Sequence, residues 1–264
     1  MNVQSPSSNP MYDKIAHYYD LTHDDLTEDV DYLLALVGKT AVSLLELGCG
    51  SGRLLLPLAR AGHRVTGVDN SPAMLARAQT RLAAEPESVQ QRVTLLAADM
   101  TQFDAPANAF DWAILPYNTF MHLDSAQMSA ALARIHKSLA GNGRLFIDLI
   151  NPAAMAATPN DRLLTLESTF TDPKTGHIVV QQSSSQLDVN AQILRITWLY
   201  DASPPAGGPI QRTIAQADYH YRYPHQLELL LHDAGFHLAS LSGGYDGEPY
   251  IEESERLLIV AEKQ

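Results

Sequence analysis

The chain predicts an α/β fold: a sheet of parallel strands with helices on both faces, followed by a β-rich insertion and a return to the sheet. Three observations carry this reading. Short apolar runs alternate with helical patterns over the first 150 or so residues. Residues 44–52, Leu-Leu-Glu-Leu-Gly-Cys-Gly-Ser-Gly, end such a run in alternate glycines and lead at once into a helical pattern. After Asn151-Pro152 the period changes to β-rich runs separated by turn signals.

The strands expected in the first half are Val42–Leu47, Val65–Val68, Val93–Ala97, Phe110–Leu115 and Gly143–Leu149. The helices between them are Asp24–Val37, Arg53–Ala61, Pro72–Ala84 and Ser125–Leu139. Ser71 can cap the third of these with Pro72 at its first position, and Asp124 with Gln127 forms a capping-box pattern. Pro57 breaks the helical pattern that follows the glycines, at low cost only if it lies in the first turn. The insertion reads as four strands: Leu164–Phe170, Ile178–Leu187, Gln192–Tyr200 and Ile210–Tyr221. A helix from Pro224 to Ala234 ends at Gly235, and strands near His237–Leu241 and Arg256–Ala261 close the sheet. Residues 1–10 read as a disordered tail, without the basic start and apolar core of a secretory signal.

The glycine turn is where chemistry is expected. Glycine lacks a Cβ, so backbone there can approach a ligand closely at a helix N-terminus. Asp69 ends the second strand about 20 residues after Gly48, where an acid can chelate the two hydroxyls of a ribose. Asp99 follows the third strand, placed to take the exocyclic amine of an adenine, with Met100 beside it as a flat apolar contact. The glycine spacing, Gly48-x-Gly50-x-Gly52, departs from the G-x-G-x-x-G of dinucleotide sites.

In this order the motifs resemble those of the class I S-adenosylmethionine (SAM)-dependent methyltransferases of small-molecule type. The matching segments are Glu46–Gly52, Val68-Asp-Asn-Ser-Pro-Ala-Met-Leu75, Ala97-Ala-Asp-Met100, Phe110-Asp111…Pro116-Tyr117-Asn118 and Leu139…Gly143-Arg-Leu-Phe-Ile-Asp148. Tyr12-Asp-Lys-Ile-Ala-His-Tyr-Tyr-Asp20 looks like their lid segment, and the insertion is similar to that of bacterial amino-sugar N-methyltransferases and glycine N-methyltransferase-like enzymes. The resemblance implies a Rossmann-like seven-stranded sheet, its last strand antiparallel, with an antiparallel β-insertion after the fifth strand. Residues 11–152 and 224–264 would form the SAM-binding domain, and 153–223 an insertion that roofs the acceptor pocket or makes a homodimer contact.

The resemblance also implies roles. Gly48, Cys49 and Gly50 would receive the methionyl portion of SAM, with Glu46 near its ammonium and Arg53 on its carboxylate. Asp69 would hold the ribose, Asp99 and Met100 the adenine, and Pro116 and Asn118 would lie beside the sulfonium; Asn70 and Met74 are further cofactor contacts. Tyr18 is a further cofactor contact through cation–π or carboxylate bonding. His122, just past Asn118, is the candidate base, with Tyr19 as its catalytic companion. Tyr12, Tyr117, Arg222 and Tyr245 are the candidate acceptor contacts.

Composition narrows the partners. The 18 basic and 30 acidic residues give a formal charge of −12, without the Lys/Arg cluster that a polyanionic backbone requires, so nucleic acid is not expected. No apolar run approaches the roughly 20 residues of a membrane span, and one cysteine in 264 residues fits a reducing cytoplasm. The ten histidines lack metal-ligand spacing. Expected, then, is methyl transfer from SAM to nitrogen or oxygen of a small molecule. The alternatives are a protein or RNA methyltransferase, a SAM-binding module without catalysis, and a nicotinamide-dependent oxidoreductase, which leaves Asp99-Met100 without a role.

Overall fold

The computed structural model describes residues 10–264, so the expected tail falls, but for Pro10, outside the described residues. Helices α1 (Pro10–His23) and α2 (Glu28–Val37) open the chain. Next come β1 (Ser43–Leu47), α3 (Leu55–Arg60), β2 (Arg64–Asp69), α4 (Pro72–Ala83), α5 (Glu87–Gln90), β3 (Val93–Ala97) and β4 (Phe110–Leu115). A 3-10 turn, Thr119–His122, then leads into α6 (Ser125–Ser138), β5 (Leu139–Ile150) and α7 (Pro152–Ala156). The insertion strands are β6 (Thr165–Thr171), β7 (Ile178–Asp188), β8 (Ile193–Ser203) and β9 (Gln211–His220). Helix α8 (Pro224–Asp233) and strands β10 (Phe236–Ser242) and β11 (Arg256–Lys263) finish the chain.

The large sheet runs β10-β11-β5-β4-β1-β2-β3. Strands β1 to β5 pair in parallel, and β11 is antiparallel to both its neighbours. The order reverses between β1 and β4, and such a switch point opens a crevice beyond the strands' carboxyl ends. Strand interiors are correspondingly apolar, with Leu44, Leu45, Leu47, Ile114 and Leu115 fully buried between helices on the two faces. The second sheet is antiparallel, in the order β6-β7-β8-β9.

Caps form where the sequence predicts them. Ser71 Oγ accepts from Met74 N at 3.2 Å, and Asp124 and Gln127 exchange both bonds of a capping box. Pro57 is the third residue of α3, within its first turn, where proline is tolerated better than in a helix interior. Helix α2 starts four residues later than expected, because Asp24 N still bonds Asp20 O at 3.0 Å at the close of α1.

Helix α1 is the main element that periodicity did not reveal. It lies between the two sheets, against α4 and β9. Met11 and Ile15 join Val179, Tyr200, Ala202, Ala215 and Ala217 in a separate apolar cluster. On its other side Asp13 accepts from Ser71 Oγ at 2.6 Å, and Asp20 pairs with Arg77 and Arg81 of α4. Among the described residues, no helix is long and apolar enough to cross a membrane.

Candidate active site

The carboxyl ends of β1, β2, β3 and β4 open into a cavity of about 310 Å3, closed on one side by α1. Its floor is the glycine turn. Gly48 N and Cys49 N both donate to Val68 O, at 2.7 and 3.1 Å, which folds the turn back on the end of β2. That path takes Gly48, Gly50 and Gly52 to φ values of 74°, 55° and 85°, where a side chain is strained. Cys49 seats its sulfur on Gly67, whose added Cβ would come within 2.8 Å of Sγ. Burial pushes the thiol's pKa up, so it packs rather than reacts.

Asp69 braces the turn from β2. Its Oδ2 accepts from Gly50 N and its Oδ1 from Ser71 N, each at 2.8 Å. Asp99 turns Oδ1 to Thr101, accepting from N and Oγ1 at 2.7 Å, and Oδ2 takes no hydrogen bond from the described residues. Asn70, Met74 and Met100 line the cavity between these two acids.

Glu46 is only 1% exposed, and its Oε2 has no hydrogen-bond partner among the described residues. Burial pushes its carboxyl up to about 8 against the pull of Arg53. Ser51, 2% exposed and also in the lining, has an Oγ without a partner among the described residues. An unpartnered buried carboxyl oxygen and an unpartnered hydroxyl lining one cavity suit a zwitterion, the acid taking an ammonium and the hydroxyl donating to a carboxylate. The amino-acid end of SAM has that chemistry, and Asp69 and Asp99 suit its ribose and adenine.

Arg53 lines the same cavity, but its guanidinium is engaged. Nη1 and Nη2 donate to Asp29 at 2.8 and 2.5 Å, and Nη1 also to Leu26 O at 2.9 Å. These bonds tie the start of α2 to the cavity, so Arg53 brings a positive field to the site more than a free donor.

Another part of the lining is aromatic. Tyr12 and Tyr19 are seven residues apart in α1, hence on one face, and both line the cavity with Tyr117 and His122. Tyr12 OH lies 2.9 Å from His122 Nε2. Burial holds His122 down at about 4, helped by the positive field of His220, so the imidazole is neutral near pH 7. Burial pushes both tyrosine hydroxyls up, keeping them protonated. Tyr219 of β9 closes over His122 with ring centroids 4.9 Å apart.

Four expected residues lie outside the cavity lining. Tyr18 follows the helix to its other face and stacks on Tyr200 at 4.7 Å. Asn118 commits Oδ1 to Ile150 N at 2.6 Å and Arg256 Nη2 at 3.2 Å. Arg222 donates to Tyr221 O and Ser125 Oγ, at 2.7 and 2.8 Å. Tyr245 bonds Asp148 Oδ2 at 2.8 Å, behind the 116–118 loop. Pro116 and Tyr117 remain in the lining, and Ser51, Thr119 and Gln127, none of them a site residue expected from the sequence, join it.

Comparison with known proteins agrees with this geometry. Residues 44–143 match the family model described as a methyltransferase domain. The cypemycin N-terminal methyltransferase of a Streptomyces species is 29% identical over 87% of this chain and 85% of its own. A methyltransferase of Bacillus cytotoxicus without assigned substrate is 31% identical over 54% of this chain and 67% of its own. Several Geobacillus and Bacillus relatives are spanned over less than two thirds of their length, for example 59% in Geobacillus kaustophilus, whereas a putative methyltransferase of Bacillus subtilis, 25% identical, is spanned over 97%. The solved CcbJ methyltransferase of Streptomyces caelestis superposes with a TM-score of 0.80 at 22% identity, covering 97% of this chain and 98% of that one. The sugar N-methyltransferase KedS8 of Streptoalloteichus does so with 0.72 at 23% identity, covering 100% and 97%.

Proposed function

The chain belongs to the SAM-dependent methyltransferases, and we propose that it methylates the nitrogen of a small amine. The observation that carries the choice of nitrogen is the buried, neutral Tyr12–His122 pair in the lining of the cavity that Glu46 also lines. The similarity to the sugar N-methyltransferase KedS8 and to the cypemycin N-terminal methyltransferase supports a nitrogen acceptor. With 30 acidic against 18 basic residues, nucleic acid has no place in this reading.

SAM, when bound, supplies a methyl group on a sulfonium, already a good leaving group. What remains for the chain is to hold, align and dry the reactants. Glu46 and Ser51 hold the amino-acid end, Asp69 the ribose, and Asp99 with Met100 the adenine. Tyr19 and Tyr117 wall the acceptor side. The Tyr12–His122 pair offers a hydrogen-bond acceptor to an amine N–H and so aims the lone pair. With a pKa near 4, His122 withdraws few protons from an ammonium, so the site selects the uncharged amine. The four-stranded sheet serves as the roof, through Tyr219 on His122 and the α1 residues Met11 and Ile15 packed beneath it.

The test is methyl transfer from labelled SAM to a library of amino sugars, peptide amines, phenols and carboxylates, read by mass spectrometry. N-methyl products support the reading. Failure to bind SAM, or methylation of oxygen acceptors alone, overturns it.

A further inference from the structure

Asp148 on β5 is a carboxylate only 1% exposed that the steps above leave without a role. Four groups converge on it. Arg256 Nε and Nη2, from β11, reach Oδ1 at 2.6 and 2.5 Å. Tyr245 OH donates to Oδ2 at 2.8 Å, and Tyr117 N donates to the same oxygen at 3.1 Å. The residue's own carbonyl accepts from Asn118 N at 2.8 Å, and Arg256 Nη2 continues to Asn118 Oδ1 at 3.2 Å.

The loop so held is strained. Tyr117 and Asn118 are consecutive non-glycine residues at φ 40° and 66°. Asparagine tolerates that region; an aromatic residue rarely occupies it, and it persists there only when its surroundings over-determine it. The over-determination is complete: both backbone N–H groups of the pair, and the Asn118 side chain, end on Asp148, Ile150 or Arg256. The consequence falls on the Tyr117 ring, which lines the reaction cavity with the guanidinium carbon of Arg256 5.2 Å and that of Arg53 5.6 Å from its centroid.

We propose that Asp148, Arg256 and Tyr245 are positioning residues that fix the strained 117–118 turn, and through it the Tyr117 ring, at the acceptor face of the cavity. None of the three lines the cavity. They act through Tyr117, and the inference rests on the methyl-transfer reading only for what that ring then faces. A buried ion pair kept for stability alone would gain nothing from a strained turn, and well-packed apolar residues commonly serve stability as well.

The experiment places 3-fluorotyrosine at position 117 alone and records its 19F spectrum with S-adenosylhomocysteine bound. One narrow resonance is expected in the parent protein, and several or broadened resonances in Arg256→Gln and in Tyr245→Phe. Tyr245→Phe, losing a single hydroxyl, is the variant to read if Arg256→Gln fails to fold. Unchanged spectra in folded variants overturn the proposal, and this readout needs no acceptor, so it stands apart from failure of the amine reading. With an acceptor in hand, Arg256→Gln should lower kcat about 10- to 100-fold, as small misplacements in active sites do, while KM for SAM moves little. In a Tyr117→Ala background the same substitution should cost nothing further; an equal loss in both backgrounds overturns it.

Discussion

Tyr12 and His122 are 110 positions apart in sequence and 2.9 Å apart at their polar atoms, on the wall of the same cavity. Because burial keeps the imidazole neutral, the pair is a hydrogen-bond acceptor that carries no charge. Tyr12→Phe and His122→Asn should therefore each lower kcat/KM toward an amine about 10- to 100-fold, at or below the low end of what proton-transfer groups contribute. Affinity for S-adenosylhomocysteine, measured by calorimetry, should change little. The kcat/KM profile should rise with the acceptor's own deprotonation, following the amine's pKa when the acceptor is changed. A rise pinned at one pH whatever the amine would contradict this.

The same imidazole makes the fold sensitive to acid. Its folded pKa of about 4 lies below the ordinary 6.5, so the stability it contributes is present above about 6.5 and lost as pH falls through about 4. Thermal unfolding of His122→Asn should show a flatter pH dependence across that window than the parent chain.

Glu46 titrates in the opposite sense. Its folded pKa of about 8 lies above the ordinary 4.5, so its stability term is full below 4.5 and lost as pH rises through about 8. At pH 7 the ligand-free site therefore holds a proton, which an ammonium set against Oε2 would expel. Calorimetry of S-adenosylhomocysteine binding in buffers of different ionisation enthalpy should find close to one proton released at pH 7. Glu46→Gln should abolish the release and weaken binding.

Asp69 has two tasks, bracing the turn through Gly50 and Ser71 and holding a ribose. Asp69→Asn keeps the shape while losing charge and one acceptor. Loss of a charged hydrogen bond, about 1.5–3 kcal/mol, predicts roughly 10- to 150-fold weaker S-adenosylhomocysteine binding. Asp69→Ala should weaken it further, because Gly50 N and Ser71 N lose their acceptor as well.

What the sequence reveals and what it hides follow from how far apart the cooperating groups lie. The glycine turn, Asp69 and Asp99 are local signals, each at a strand end, and the fold brings them around one cavity. Helix α1 escaped periodicity because its faces serve three masters: the cavity, the second sheet and α4. Tyr18 and Tyr19 adjoin in sequence yet a helix turns them to different neighbours, Tyr200 and His23. Arg256 carries no motif at all. Its part is visible only once β11 pairs with β5 and sets Arg256 opposite Ile150, near Asp148.

Gly48 gives the sharpest steric test of the turn. At φ 74° an alanine costs about 1–2 kcal/mol from backbone alone. Its Cβ would also meet Thr119 Cγ2 at 2.5 Å and Oγ1 at 2.8 Å, on the loop that follows Tyr117 and Asn118. Gly48→Ala should therefore lower the unfolding temperature and weaken S-adenosylhomocysteine binding together, since the turn and the 116–119 loop are forced apart. Adding Thr119→Ser removes Cγ2 and leaves a single Oγ free to rotate away. Thermal unfolding of the double variant should recover the steric part of the loss and retain the backbone part. A Gly48→Ala protein as stable and as tightly binding as its parent would show that turn and loop do not meet as described.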